Sequence, residues 1–201
     1  MHWKGQYTVA INATSQQQKG KEMEMEKEDK TAQEKKIQHM VNDLIKMAER
    51  KGATYYGSWI EDGRQYFAGT HFCVCLNKPV ELPERDGSYV KNQIYDYMKN
   101  AQIMNEKETA LPDELNQMVK TLKKERGRYR SKRIFCFLGD REAAVNAEYL
   151  LMLSLVTGAK SVYLSEKRPE ESIIYGAGEN GMFIVLPVSF TEEDQKNFWM
   201  E

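Results

Sequence analysis

Apolar positions Ile37, Met40, Val41, Leu44, Ile45 and Ala48 recur at helical spacing, and Gly52 stands where a left-handed C-terminal cap belongs. The spacing predicts an amphipathic helix. Two aromatic and β-branched runs follow, 53–60 and 65–76, separated by Glu61-Asp62-Gly63-Arg64, whose Asp-Gly pair signals a hairpin turn. Pro79 and Pro83 close this unit. Residues 88–126 read as helical again. Val90, Ile94, Tyr97, Met98 and Ala101 form one stripe; Pro112 suits a first helical turn, before Leu115, Met118, Val119 and Leu122.

The pattern then shifts to strands around one apolar helix. Ile134 to Leu138 is too short and too rich in β-formers for a helix, and Gly139-Asp140 follows as a turn. Asn146 is a good N-cap for a helix over 147–157, which Gly158 closes. Residues 161–165, 172–175 and 182–188 read as the last strands. The fold class expected is α+β, with two units of similar element order flanking an inserted helical region.

The beginning of the chain has a different character. Tyr7, Val9 and Ile11 alternate like a short strand. Residues 12–36, with Gln16-Gln17-Gln18 and then a lysine and glutamate run, lack the apolar content to offset the entropy of ordering. The expected organisation is an N-terminal extension over 1–33, a single domain over 34–190 and a C-terminal tail over 191–201. Within the domain, 34–85 is the first half, 86–130 the helical insertion and 131–190 the second half.

Composition narrows the function classes. The 201 residues carry a formal net charge of −1, so no global basic excess marks a nucleic-acid binder and any such signal must be local. Three cysteines, Cys73, Cys75 and Cys136, without a CxxC pair, point to reduced thiols in a cytoplasmic protein. No apolar run approaches the roughly 18 residues of a membrane span, and the first residues lack a signal-peptide apolar segment. Asn12-Ala13-Thr14 matches a glycosylation sequon, which has no meaning without export.

Several constellations bear on chemistry. Gly176-Ala177-Gly178-Glu179-Asn180-Gly181 satisfies GxGxxG, but a strand follows it where dinucleotide binding requires a helix N-terminus, so it reads as a hairpin loop. His71, Cys73 and Cys75 share one face of a strand. Same-face neighbours start about 7 Å apart, whereas zinc ligands converge at about 2.0–2.3 Å from the ion, so no metal site is expected. The turn carboxylates Glu61, Asp62, Asp140 and Glu142 lack a nucleophile, a histidine or a phosphate loop beside them. Neither catalytic residues nor a cofactor are expected, and the chain reads as a non-enzyme.

The strongest local charge signal is Lys120, Lys123, Lys124, Arg126, Arg128, Arg130, Lys132 and Arg133, with Tyr129 among them. Such a cluster suits phosphate contact through counterion release, with Tyr129 for stacking on a base; its bland alternative is a solvated helix end. Lys46 and Arg50 on the first helix, which also carries Lys35 and Lys36, extend the candidate set. Gln195, Phe198 and Trp199 form a weaker partner-binding candidate in the tail.

Asn146 followed by Tyr149-Leu150, then a strand, then Leu186-Pro187-Val188 resembles the closing half-domain of the DNA sliding clamps, including the bacterial polymerase III beta subunit. Asp62-Gly63, Val74-Cys75-Leu76 and Val80-Glu81-Leu82-Pro83 look like shorter clamp-related proteins of phage and mobile elements. The resemblance implies a clamp-like domain of two βαβββ halves. It further implies a noncatalytic role in DNA replication, with DNA, replication proteins and other copies of the chain as partners. A clamp fold reused purely as a protein-interaction module, without DNA binding, is the alternative, and a small enzyme using the turn carboxylates is the third and less favoured reading. Against the clamp mechanism stands the helix 147–157, which has no basic residue, contains Glu148 and carries Tyr149, Leu151, Met152 and Leu155. The inserted helices are expected to cover its apolar outer face.

Overall fold

The computed structural model describes residues 32–128, 134–139 and 143–189. Two compact units divide the chain, Met1–His39 and Met40–Glu201. Of the first, only 32–39 are described, and they are helical. The fold below is that of the second unit.

The elements run in the order α1 (32–50), β1 (Tyr55–Glu61), β2 (Arg64–Gly69), β3 (Phe72–Leu76), a 3₁₀ turn (Ser88–Val90), α2 (Lys91–Met104), β4 (Asn105–Ala110) and α3 (Leu115–Arg128). They continue with β5 (Phe135–Leu138), β6 (Ala143–Asn146), α4 (Ala147–Thr157), β7 (Ser161–Ser165), β8 (Ile174–Gly178) and β9 (Gly181–Val185). Seven strands form one antiparallel sheet in the order β1-β2-β3-β9-β8-β7-β4, and β5 and β6 pair separately. The fold is therefore mixed α+β. Within the sheet β1-β2-β3 and β7-β8-β9 are three-strand meanders, each preceded by a helix; they join where β3 pairs with β9, Val74 opposite Phe183, and β4 adds a seventh strand outside β7.

Both faces of the sheet are covered, which explains why all five residues of β3 are buried and apolar. Strand alternation sends Phe72, Val74 and Leu76 to one side, where the Phe72 ring lies 5.5 Å from Tyr149 of α4. Cys73 and Cys75 point to the other side, into a cluster with Trp59, Ala68 and Ile184 closed by Ile94, Met98 and Ala101 of α2. The two helices thus sandwich the sheet.

Three expectations need correction. The run 65–76 is two strands, because Gly69 to Phe72 turns the chain back. The inserted region 86–130 is not helical throughout, since β4 joins the main sheet along β7. Its sequence, Asn-Glu-Lys-Glu-Thr-Ala, has little strand propensity, and pairing decides its state. The side chain of Asn105, 6% exposed, donates to the carbonyls of Tyr163 (2.9 Å) and Ile173 (2.6 Å), ending α2 and starting the strand. Finally, only α3 of the inserted helices packs on α4; α2 covers the opposite face.

The outer side of β1 is also occupied. Ser58 donates its N–H to the Arg85 carbonyl (2.9 Å), and Gly87 donates to the Ser58 carbonyl (3.2 Å). This close approach requires glycine at 57, where φ is +125° and an added Cβ would sit 2.3 Å from the Arg85 oxygen.

Candidate nucleic-acid interface

The site begins at the N-terminus of α4. Asn146 caps the helix, its side-chain oxygen accepting from the backbone N–H of Glu148 (3.0 Å) and Tyr149 (3.3 Å). Glu148 therefore lies in the first turn, where a negative charge meets the positive end of the helix dipole. Its residue is only 6% exposed, so its charge needs close partners.

Two distant lysines supply them. Lys51 stands at the end of α1, where Gly52 (φ +78°) and the bonds Gly52 N–H to Glu49 O (2.9 Å) and Ala53 N–H to Ala48 O (3.0 Å) form a left-handed cap. The Lys51 ammonium bridges to Glu148 Oε2 and lies 5.8 Å from the centre of the Tyr149 ring. From α3, Lys123 Nζ reaches Glu148 Oε1 at 2.9 Å. Burial pushes the Glu148 pKa up, but the hydrogen bonds and charges of Lys51 and Lys123 outweigh it and hold the carboxyl below the ordinary glutamate value.

This bridge brings together basic groups that sequence places about 70 residues apart. Lys46 and Arg50, one turn apart on α1, are exposed, and Arg50 Nε donates to the Lys46 carbonyl at 3.2 Å. Lys120 and Lys124, one turn apart on α3, are exposed as well. Arg126 and Arg128 belong to the last turn of α3. Tyr129, Arg130, Lys132 and Arg133 lie outside the described residues, as do Gln195, Phe198 and Trp199.

Lys123, one of the candidate phosphate contacts, has its ammonium paired with a buried carboxylate. Lys51, at the helix-cap position, is a partner of that carboxylate which the charge run does not include. The available signal was Glu148 itself: a carboxylate in an otherwise apolar helix demands a cationic partner.

Helix α4 does not present a DNA-facing surface. Tyr149 is buried at 3%, Leu151 and Met152 are half-buried, and Leu155 is the exposed exception at 45%. With no lysine or arginine along it, this helix has nothing to neutralise phosphate.

The remaining motifs resolve into structure. In the glycine-rich segment, Gly178 pairs with Gly181 and Glu179-Asn180 forms the turn between β8 and β9. Asn180 N–H donates to the Thr157 carbonyl and Asn77 Nδ2 to the Glu179 carbonyl, both at 3.0 Å, tying this loop to the ends of α4 and β3. The thiols of Cys73 and Cys75 are packed in the core, and burial pushes both pKa values up. Glu61 pairs with Lys91 at 2.6 Å. Among the described residues, no group of three His, Cys, Asp or Glu is placed to hold a metal ion, and no helix is long and apolar enough to cross a membrane.

No protein-family model, curated protein or solved structure matches this chain.

Proposed function

We propose that this chain is a noncatalytic, clamp-like accessory of DNA replication that contacts DNA through the solvent side of α1 and α3. The observation that carries the reading is the Glu148 bridge, which ties Lys51 at the end of α1 and Lys123 of α3 to one buried carboxylate, on two helices whose Lys46, Arg50, Lys120 and Lys124 are exposed. Phosphate binding needs little more than a fixed set of exposed cations, because counterion release supplies sequence-independent affinity. The palindromic order of the two meanders in the sheet supports the clamp-like assignment.

The proposed contact is a surface patch on one chain. Self-assembly into a ring through sheet edges is disfavoured: β1 is capped by residues 85–87, and β4 carries Glu106-Lys107-Glu108. Two-fold antiparallel pairing of β4 centred on Glu106, Lys107 or Glu108 sets that residue against its own copy, like charge against like.

The test is fluorescence anisotropy of labelled duplex DNA with the full chain, across about 50 to 200 mM salt. Lys46, Arg50, Lys120 and Lys124 are changed together to Gln, with Lys123 left to its structural pairing. Loss of four phosphate contacts lowers the log–log salt slope by about 3 to 4 and weakens binding at every salt concentration. Absence of binding at low salt, or an unchanged slope in the variant, refutes the proposal.

A further inference from the structure

On the α2 face of the sheet, away from the basic patch, a groove of about 480 Å³ opens between α2 and the turn joining β2 to β3. Ile94, Cys73 and Ile184 form its floor, and Tyr56, Tyr97 and Ile173 its walls. Large apolar side chains are left in solvent around its mouth. Tyr97 is 39% and Leu186 40% exposed, and Tyr89, 70% exposed, meets Tyr56 edge-to-face at 6.4 Å. Such a volume with such a lining is of the kind that holds small molecules.

We propose that this groove binds a neutral, largely apolar small molecule with an aromatic body and one hydrogen-bonding group. Its charge is set by the lining, in which there is no Asp, Glu, Lys or Arg. The nearby Lys91 is already paired with Glu61. An ionic ligand would lose its hydration with no counter-charge to replace it, whereas a neutral one loses little. The polar side chain available is Gln93, which donates from Nε2 to the Tyr97 hydroxyl at 2.7 Å, because the Thr70 hydroxyl is bound to the Thr54 backbone and the His71 ring lies 6.0 Å from Tyr149 of α4. The Gln93–Tyr97 pair suits one terminal polar group.

The backbone argues for a small molecule over an extended peptide. A peptide brings its own N–H and C=O groups, which need partners when buried. The strands beneath the groove are interior to the sheet, with β3 paired to β2 on one side and to β9 on the other. Even the Leu186 N–H is taken, donating to the His71 carbonyl at 2.9 Å. No free strand edge lies there to receive a peptide. Aromatic rings, which bury area without exposing backbone, meet no such obstacle.

Equilibrium titration of the full chain with Nile red, a neutral apolar dye, tests this against the anionic dye ANS. Expected are saturable one-to-one enhancement with Nile red and binding of ANS weaker by about tenfold or more, as an unpaired charge dictates. Ile173→Glu, at a half-buried wall position, weakens Nile red at least about tenfold by placing a charge in the groove. Ile103→Glu, which alters an exposed apolar residue of α2 outside the lining, leaves it unchanged, with circular dichroism verifying both folds. Equal affinity for both dyes, or equal loss in both variants, overturns the proposal. So does dimerisation abolished by Ile173→Glu, which assigns the groove to a second copy. Dye uptake appearing only after removal of residues 190–201 assigns it instead to the chain's own C-terminal segment. The DNA titration is independent of all these outcomes.

Discussion

Glu148→Gln removes one charge and little volume, so it measures what the bridge contributes. The wild-type carboxylate accepts from Lys51, whose side chain is 21% exposed, and from Lys123, which is 54% exposed. A hydrogen bond to a charged group contributes about 1.5–3 kcal/mol when shielded, and an exposed pair about 0–1. The first-turn position adds about 0.3–1 kcal/mol through the helix dipole. Glutamine recovers part of the hydrogen bonding, and both lysines can turn to water, so the expected loss is about 2 kcal/mol, below the 3–5 of a wholly buried broken pair.

The sign of its pH dependence is determined. The Glu148 pKa is lowered on folding, so its stabilisation is fully present above the unfolded value of about 4.3 and is lost as pH falls through the lower folded value. Urea denaturation of wild type and Glu148→Gln is to be compared at steps from pH 7 to about pH 3. The gap between them narrows in acid, because a protonated glutamate is nearly a glutamine. In double-mutant cycles at pH 7, Lys51→Met shows the larger coupling to Glu148, since Lys51 is the less solvated partner. A gap under about 0.5 kcal/mol at pH 7, or one unchanged in acid, refutes the reasoning.

Three further outcomes follow from geometry and burial. Gly57→Ala forces a side chain into a positive φ and against the Arg85 carbonyl; the expected cost is about 3 kcal/mol, or roughly 6–12 °C in thermal midpoint, read by differential scanning calorimetry. On α4, Leu150→Ala at a fully buried position costs about 2–5 kcal/mol, whereas Leu155→Ala, 45% exposed, stays within about 0.5, and comparable costs at both sites would contradict the burial pattern. All three thiols are buried, with Cys136 pushed up to about 11 and Cys73 and Cys75 raised as well; Ellman's reagent at about pH 8 reacts with them only after urea unfolding, and rapid native labelling would contradict their core placement.

What the sequence determined by itself was local chemistry. The Asn146 cap, the helix over 147–157 and its left-handed Gly158 terminus depend on neighbouring residues alone, and they stand where spacing puts them. The Asp62-Gly63 turn is equally local, with φ of +50° and +73°. Residues 161–165 also form the expected strand.

Tertiary structure decided whatever depends on partners distant in the chain. β4 is polar enough to read as helix, and only the backbone of β7 and the two carbonyls held by Asn105 make it a strand. The candidate interface follows the same rule. Its lysines were visible one by one, but which of them neutralises Glu148 and which faces solvent depends on α1 and α3 meeting at the start of α4. Periodicity reports the face on which a side chain lies; a buried charge is assigned its partner only by the packing that brings the helices together.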